Sequence, residues 1–200
     1  MPETIILADG DFPSHPLALE WLRQCPYVVC CDGAANTYIR SGRMPEAIVG
    51  DGDSLLPDIK ERYASLIHSE AEQETNDLSK AFRFCLSQER KRITIMGATG
   101  KREDHTIGNV SLLADYMEQA EVSMMTDYGI FVPIREDSMF ESYIGQQISV
   151  FNMNSTALSA EGLAYPLSVF TNWWQGTLNE ALARHFIIRT EGKVLVFRVF

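Results

Sequence analysis

Residues 27–36 read YVVCCDGAAN, which places a short apolar run directly in front of a helical pattern. The run suits one buried strand, and Gly33 with the small residues after it favours a tight turn into a helix. The same order, an apolar run and then an amphipathic segment, recurs on both sides of this stretch. Strands that alternate with helices form a parallel sheet covered on both faces. The stretch therefore predicts an α/β fold.

This alternation extends from the N-terminus to about residue 127. It predicts strands over residues 4–8, 27–31, 46–49, 92–96 and 122–126, and helices over 16–24, 34–41, 56–65, 76–88 and 104–119. The helix over 76–88 has the clearest pattern, because its apolar residues recur at the spacing of one helical face. For the helix over 104–119 we expect Ile107, Val110, Ala114 and Met117 to face inward.

The pattern changes after residue 127. Short strand-like segments are predicted over residues 129–134, 138–144, 147–151, 156–160, 169–171, 180–189 and 193–200. Closely spaced short strands separated by turn residues are typical of a small antiparallel sandwich or barrel. We therefore predict an α/β domain over residues 1–127 and a small all-β sandwich domain over residues 128–200.

The charge balance excludes some classes of partner. The chain has 17 Lys and Arg against 27 Asp and Glu, a net charge of −10. Non-specific nucleic-acid binding and anionic membrane surfaces both require clustered positive charge. No apolar run approaches the roughly 20 residues of a membrane span. We expect a cytoplasmic protein with neither nucleic acid nor membrane as partner. A phosphate ligand remains compatible, since a metal ion can supply positive charge.

Ligands of parallel sheets bind beyond the carboxyl ends of the strands. The third predicted strand ends in GDGDS, residues 50–54, where Asp51 and Asp53 suit Mg²⁺ with phosphate oxygens as further ligands. The alternative is a solvated turn that caps the next helix. Asp32, after the second strand, suits a phosphate or metal site, or a helix cap.

Two further segments combine polar side chains with a helix start. In TNDLSK, residues 75–80, Asp77 and Lys80 share one helical face, so Asp77 could join a metal site and Lys80 could neutralise phosphate. The alternative is a capped helix with a surface ion pair. The glycine-rich loop GATGKREDH, residues 97–105, suits phosphate, with Arg102 as a clamp. We interpret His105 as a structural hydrogen-bonding residue.

Six motifs occur in an order that resembles the thiamin pyrophosphokinase family. They are DGAAN at 32–36, GDGDS at 50–54, TNDLSK at 75–80, GATGKREDHTIGN at 97–109, GLAYPL at 162–167 and GTLNE at 176–180. Each motif is weak alone, but six in order are specific. The chain departs from the family pattern at Lys101, where glycine is usual, and at Leu178, where serine is usual.

The resemblance implies a nucleotide-binding α/β domain, a β-sandwich domain that binds thiamine, and a homodimer with active sites at the subunit interface. It implies Mg²⁺-dependent transfer of pyrophosphate from ATP to the thiamine hydroxyl, which gives thiamine diphosphate and AMP. The implied metal-binding and catalytic acids are Asp51, Asp53 and Asp77, with Asp32 nearby. The implied nucleotide-binding residues are Asn36, Thr75, Asn76, Lys80, Gly97, Arg102, Asp104 and Asn109. The implied thiamine-binding residues are Tyr165, Thr177 and Asn179.

Other functions remain as alternatives. A related pyrophosphokinase could use another hydroxyalkyl heterocycle, such as a hydroxymethylpterin, as its acceptor. A phosphatase could use an Asp-x-Asp nucleophile, although such enzymes carry it after the first strand rather than the third. A nucleotide or thiamine sensor would bind these ligands without turnover, and it would have less need of a costly acid cluster.

Overall fold

A computed structural model describes residues 2–70, 72 and 74–200. The chain divides into two compact units. The first holds the residues up to Leu112 together with Gln119–Asp127, and the second holds Leu113–Glu118 together with Tyr128–Phe200. The first unit is built on a parallel sheet and the second on antiparallel strands, which confirms the predicted fold class.

The first unit contains a parallel sheet with the strand order β6-β5-β1-β2-β3-β4. The strands are β1 (Thr4–Leu7), β2 (Val28–Cys31), β3 (Ala47–Gly50), β4 (Ile67–Ser69), β5 (Arg92–Met96) and β6 (Glu121–Met125). Every residue of β1, β2 and β3 is buried, as expected for strands with both faces covered. Because the strands run parallel, the loops after β1, β2, β3 and β5 leave the same edge of the sheet.

The helices of the chain largely follow the predicted pattern. They are α1 (Pro16–Gln24), α2 (Ala34–Arg40), α3 (Pro57–Arg62), α4 (Asp77–Ser87) and α5 (Glu103–Tyr116). The predicted helix over 56–65 is α3 followed by a 3₁₀ turn, Ala64–Leu66, which leads into the unpredicted strand β4. Among the described residues, no helix combines the length and apolar character needed to cross a bilayer.

The inward face predicted for α5 is wrong. Its buried residues are Leu113 and Tyr116, whereas Ile107 is 59% exposed. Apolar side chains occur on several sides of this helix, so their spacing does not select one face. In α4, by contrast, Leu78 and the residues one and two turns later are buried, as their spacing predicts.

The second unit contains two antiparallel strand groups. Its strands are β7 (Gly129–Ile134), β8 (Ser138–Glu141), β9 (Gln147–Asn152), β10 (Leu158–Glu161), β11 (Asn179–Glu180), β12 (His185–Thr190) and β13 (Val194–Val199). One group has the order β11-β9-β13-β7 and the other β10-β12-β8. Val150, Phe186 and Val196 lie in a common apolar core, which is the packing expected of a small sandwich.

Two predicted strands of the second unit are wrong. Residues 169–171 are not a strand, because the chain there leads into a 3₁₀ turn, Trp173–Gly176. The backbone N–H groups of Thr171 and Asn172 donate to the Gln175 side chain, at 3.1 and 2.8 Å, rather than to a neighbouring strand. The segment predicted over 180–189 is divided between β11 and β12 by a turn.

Candidate active site

A cleft of about 340 Å³ lies in the first unit at the carboxyl edge of the parallel sheet. Its walls come from residues 8–10 after β1, Cys31 at the end of β2, residues 76–78 at the start of α4, and the loop and first turns that follow β5. This is the edge where open parallel sheets bind ligands. Four predicted site residues are among the described residues that line the cleft: Asn76, Asp77, Arg102 and Asn109.

A chain of side-chain amides joins three of these walls. Asn109 Nδ2 donates to the Ala98 carbonyl oxygen at 2.9 Å, and Asn76 Nδ2 donates to Asn109 Oδ1 at 3.2 Å. Asn76 also caps α4, because its Oδ1 accepts the Ser79 N–H at 2.9 Å. The two asparagines therefore fix the start of α4 against α5 and the loop after β5.

Asp77 and Lys80 form an ion pair at the cleft. Lys80 Nζ donates to Asp77 Oδ1 at 3.2 Å, and the lysine side chain is 3% exposed whereas that of Asp77 is 36% exposed. The alternative of a surface ion pair is wrong for Lys80, because its side chain is buried. A buried ammonium needs a charged partner, and Asp77 supplies it. Lys80 thus holds the Asp77 carboxylate at the wall of the cleft.

Arg102 is oriented by Asp104 through a two-point contact. Nη2 and Nε of Arg102 donate to the two carboxylate oxygens at 2.5 and 3.1 Å. The arginine, with the His105 N–H as a second donor, lowers the pKa of Asp104 to about 2. Asp104 therefore stays charged and keeps the Arg102 guanidinium, which lines the cleft, in a fixed orientation.

Asp32 lies between the ends of β2 and β3. Its backbone is left-handed, with φ of 33°, and its Oδ2 accepts the Ser54 N–H at 2.9 Å. Its Oδ1 is buried without a hydrogen-bond partner in the described part of the chain. Burial raises the pKa of Asp32, and the negative charges of Asp77 and Asp51 raise it further. The acids after β2 and β3 and at the start of α4 therefore lie close enough to repel one another.

The loop after β3 is held from two sides. Asp51 Oδ1 accepts the Asp53 N–H at 3.1 Å, and Lys60 Nζ donates to the Gly52 carbonyl oxygen at 2.9 Å. Asn36 Nδ2 donates to the Ser54 carbonyl oxygen at 2.8 Å, and its Oδ1 accepts the Leu56 N–H at 3.0 Å. The amide of Asn36, expected on the nucleotide side, thus supports the acidic loop.

The acids fit a magnesium site that is completed by other oxygen ligands. No group of three or more His, Cys, Asp or Glu side chains among the described residues is arranged to hold a metal by itself. Mg²⁺ does not require such a cage, because it commonly binds one or two carboxylates together with water and phosphate oxygens. The unpartnered Asp32 Oδ1 and the nearby charges of Asp51 and Asp77 agree with a cation at this place.

Two other expected nucleotide residues have contacts within the chain. Thr75 Oγ1 donates to Glu72 and accepts a hydrogen bond from Arg83 Nη1 at 3.1 Å. The carbonyl oxygen of Gly97 accepts the Gly10 N–H at 2.6 Å. A Cβ on Gly97 would lie 2.6 Å from the Ala8 carbonyl oxygen, so this glycine allows the loops after β1 and β5 to touch.

Three of the described cleft residues with charged or imidazole side chains were not predicted as functional. Asp9 and Lys101 line it together, and Lys101 Nζ donates to the backbone oxygen and Oδ1 of Asp9 at 2.8 and 3.2 Å. His105, interpreted as structural, also lines it. The signal for Asp9 was present in the sequence, because Asp9-Gly10 follows a buried strand as Asp32-Gly33 does.

The expected thiamine residues lie in the second unit. Asn179 is buried, and its amide makes two bonds with the backbone of Tyr165: Nδ2 donates to the carbonyl oxygen at 2.8 Å, and Oδ1 accepts the N–H at 3.0 Å. The Tyr165 residue is 64% exposed. Thr177 Oγ1 donates to the Trp174 carbonyl oxygen at 2.7 Å. Asn179 therefore positions the segment that presents the Tyr165 ring.

Comparison with known proteins finds relatives along much of the chain. "Thiamine pyrophosphokinase 1" of Oryza sativa subsp. japonica is 30% identical over 129 residues, which are 52% of this chain and 49% of the relative. "Thiamine pyrophosphokinase" of Bacillus subtilis (strain 168) is 34% identical over 86 residues, 41% and 40% of the two chains. The match thus spans about half the length or less of the curated relatives.

Solved structures share the fold. The thiamine pyrophosphokinase from Bacillus subtilis superposes with a TM-score of 0.82 at 21% identity and covers 98% of both chains. The thiamin pyrophosphokinase from Candida albicans gives 0.81 at 19% identity over 98% of this chain and 90% of that one.

Two family models match the sequence. The model of the thiamin pyrophosphokinase catalytic domain matches residues 18–125, and the model of the substrate-binding domain matches residues 129–197. The first alone covers more than half of the 200 residues. The chain therefore belongs to the thiamin pyrophosphokinase family.

Proposed function

We propose that the chain catalyses Mg²⁺-dependent transfer of the pyrophosphoryl group of ATP to the hydroxyl of thiamine, which gives thiamine diphosphate and AMP. The observation that carries this proposal is the cleft in the segment matched by the catalytic-domain model. There Asp77, Arg102 and Asn109 converge at the carboxyl edge of the sheet. A polyphosphate needs this combination of cationic and hydrogen-bonding groups.

Arg102 would bind phosphate oxygens of ATP. A guanidinium presents a planar fork of donors that matches phosphate geometry, and Asp104 already fixes its orientation. Asn109 and Asn76 hold α4 against α5, so the cleft keeps its shape as the ligand enters. Positioning and charge neutralisation are the main contributions to phosphoryl-type transfer, and these residues supply both.

The acids would hold Mg²⁺ in this reaction. Asp77, with Asp51 and Asp53 of the loop after β3, would provide carboxylate ligands, and Asp32 lies close to Asp77 and Asp51. When bound, the ion offsets phosphate charge and stabilises the charge of the transition state. In the transfer itself, the acceptor hydroxyl oxygen would bond to the β-phosphorus, the bond from that phosphorus to the AMP oxygen would break, and the hydroxyl proton would pass to solvent.

Thiamine would bind in the second unit at Tyr165, Thr177 and Asn179. The exposed Tyr165 ring offers a stacking surface to a flat heterocycle, and Asn179 fixes the backbone behind it. Trp174, Leu178 and Leu182 of this unit are also exposed. Contact with a second copy of the chain would remove such apolar side chains from water. We infer that the protein acts in the cytoplasm as a homodimer with its active sites at the subunit interface.

A product assay tests the proposal. Purified protein is mixed with ATP, Mg²⁺ and thiamine, and nucleotides and thiamine species are separated chromatographically. Equal amounts of AMP and thiamine diphosphate, both lost without Mg²⁺, are expected. Thiamine monophosphate with ADP would show an ordinary kinase. AMP formed only with a hydroxymethylpterin would change the acceptor, and tight binding without any AMP would indicate a sensor.

A further inference from the structure

The Lys101–Asp9 contact joins two loops that the backbone has already fixed together. The Gly10 N–H donates to the Gly97 carbonyl oxygen at 2.6 Å, and the Asp11 N–H donates to that of Thr99 at 2.9 Å. Lys101 follows directly after this pairing. These two backbone hydrogen bonds therefore hold the loop that carries Lys101, and the position of its ammonium depends on the side-chain conformation.

Lys101 occupies a backbone position that favours glycine. Its φ is 55°, in the left-handed region, where a side chain is disfavoured. Gly100 beside it has φ of 78°. A long cationic side chain is therefore placed on a tight turn in the wall of the cleft, where a glycine would form the turn more easily.

The Lys101–Asp9 pair also lies in a wall shared by two cavities. Both residues line the cleft of about 340 Å³ and a neighbouring cavity of about 150 Å³, whose other walls include Phe12 and Thr37. The lysine side chain is 54% exposed and the aspartate 48% exposed. An ion pair this exposed is weak, so the ammonium can change partners at little cost.

We propose that Lys101 determines the affinity of the cleft for polyphosphate, by moving its ammonium from Asp9 to a phosphate oxygen as the ligand binds. The inference rests on the proposed function. It assigns a role to Lys101, which is neither one of the metal-binding acids nor one of the residues expected to bind the nucleotide. Asp9 carries one negative charge and a triphosphate carries several, so the ligand competes successfully for the ammonium. Arg102 differs from Lys101, because both of its bonds go to the carboxylate of Asp104, whereas one of the two bonds of Lys101 goes to the backbone oxygen of Asp9. Asp9 is thus a competitor of the ligand, and the two members of the pair have opposite effects on binding.

Calorimetric titration with inorganic triphosphate and with ATP, both with Mg²⁺, tests this opposition. Lys101→Met is expected to raise the Kd for both ligands about tenfold, since one charge-assisted contact is lost. Lys101→Arg should stay within about threefold of the wild type, and Asp9→Asn should lower the Kd about threefold by removing the competing charge. Lys91→Met is the control: it removes the same charge from an exposed lysine that precedes β5, at the opposite edge of the sheet.

Kinetics and a second variant complete the test. The KM for ATP should follow the Kd, whereas kcat should change little. Lys101→Gly suits the left-handed backbone and should match Lys101→Met, so a folding defect in the latter does not obscure the result.

The inference is overturned if Lys101→Met binds triphosphate as Lys91→Met does, or if Asp9→Asn weakens binding as a merely structural pair would. In either case normal AMP formation by the wild type would leave the proposed function standing. A wild type that binds neither ligand and forms no AMP would overturn both.

Discussion

Lys80 and Asp77 share one ion pair but differ in their exposure to solvent. The ammonium is 3% exposed and the carboxylate 36% exposed, with 3.2 Å between Lys80 Nζ and Asp77 Oδ1. A charge that loses its partner is tolerated where water can reach it and is costly where water cannot. The two residues therefore contribute unequally to folding, although the proposed reaction needs the carboxylate that Lys80 holds in place.

The first prediction follows from this difference. Asp77→Asn leaves a buried ammonium without its carboxylate and should lower the free energy of unfolding by about 3 kcal/mol. Lys80→Met replaces the ammonium by an apolar chain of similar length and should cost less than about 1 kcal/mol. Both variants should lose most AMP formation. Urea unfolding with matched activity assays checks this, and equal stability losses in the two variants would contradict the proposed asymmetry.

The second prediction concerns Asp53, an exposed residue of the loop after β3. Asp53→Asn should reduce turnover at least about 100-fold, because a metal-binding carboxylate is lost. The free energy of unfolding should stay within about 0.5 kcal/mol of the wild type, as at most exposed positions. Asp115→Asn, the same change at an exposed position of α5, serves as the control. A near-normal kcat in Asp53→Asn would remove Asp53 from the reaction.

The third prediction separates the two roles in the expected thiamine site. Asn179→Ala leaves the N–H and the carbonyl oxygen of Tyr165 without their partner and should cost about 2 kcal/mol of stability. Tyr165→Ala removes an exposed ring and should leave stability within about 0.5 kcal/mol. Both should raise the KM for thiamine, by about tenfold for Tyr165→Ala if the ring stacks on the ligand. Thermal unfolding and steady-state kinetics check this, and an unchanged KM in Tyr165→Ala would exclude stacking.

The fourth prediction tests the close contact between the loops after β1 and β5. A Cβ on Gly10 would lie 2.4 Å from the carbonyl oxygens of Gly97 and Thr99, so Gly10→Ala should cost about 2 kcal/mol and weaken ATP binding. A Cβ on Gly108 in α5 would have no atom within 4 Å apart from its chain neighbours and the backbone of its own helix. Gly108→Ala should therefore stabilise the chain by about 0.5 kcal/mol through helix propensity. Denaturant midpoints of the two variants check these opposite signs, and a Gly10→Ala variant as stable as the wild type would show that the loops can separate freely.

Much of the fold could be predicted, because in most elements the pattern of apolar residues along the sequence matches the residues that are buried. The apolar runs of β1, β2 and β3 are strands with every residue buried, and the spacing of apolar residues in α4 matches its buried face. The prediction was wrong where the pattern of apolar residues did not match burial, or where a side chain took the backbone hydrogen bonds of an expected strand. In α5 apolar residues occur on several sides, so Leu113 is buried while Ile107 is exposed. At residues 169–171 the Gln175 side chain competes with strand pairing for the backbone N–H groups.

Residue types in neighbouring positions were sufficient to predict the α/β fold followed by antiparallel strands. They also indicated the loops in which the acids and the arginine lie. Which side chains contact one another could be read only from the folded chain. Lys101 contacts Asp9, which lies 92 residues away, and Asn36 supports the acidic loop rather than the walls of the cleft. Such contacts depend on how distant strands and helices pack against one another, and the spacing of residues along the sequence does not predict that packing.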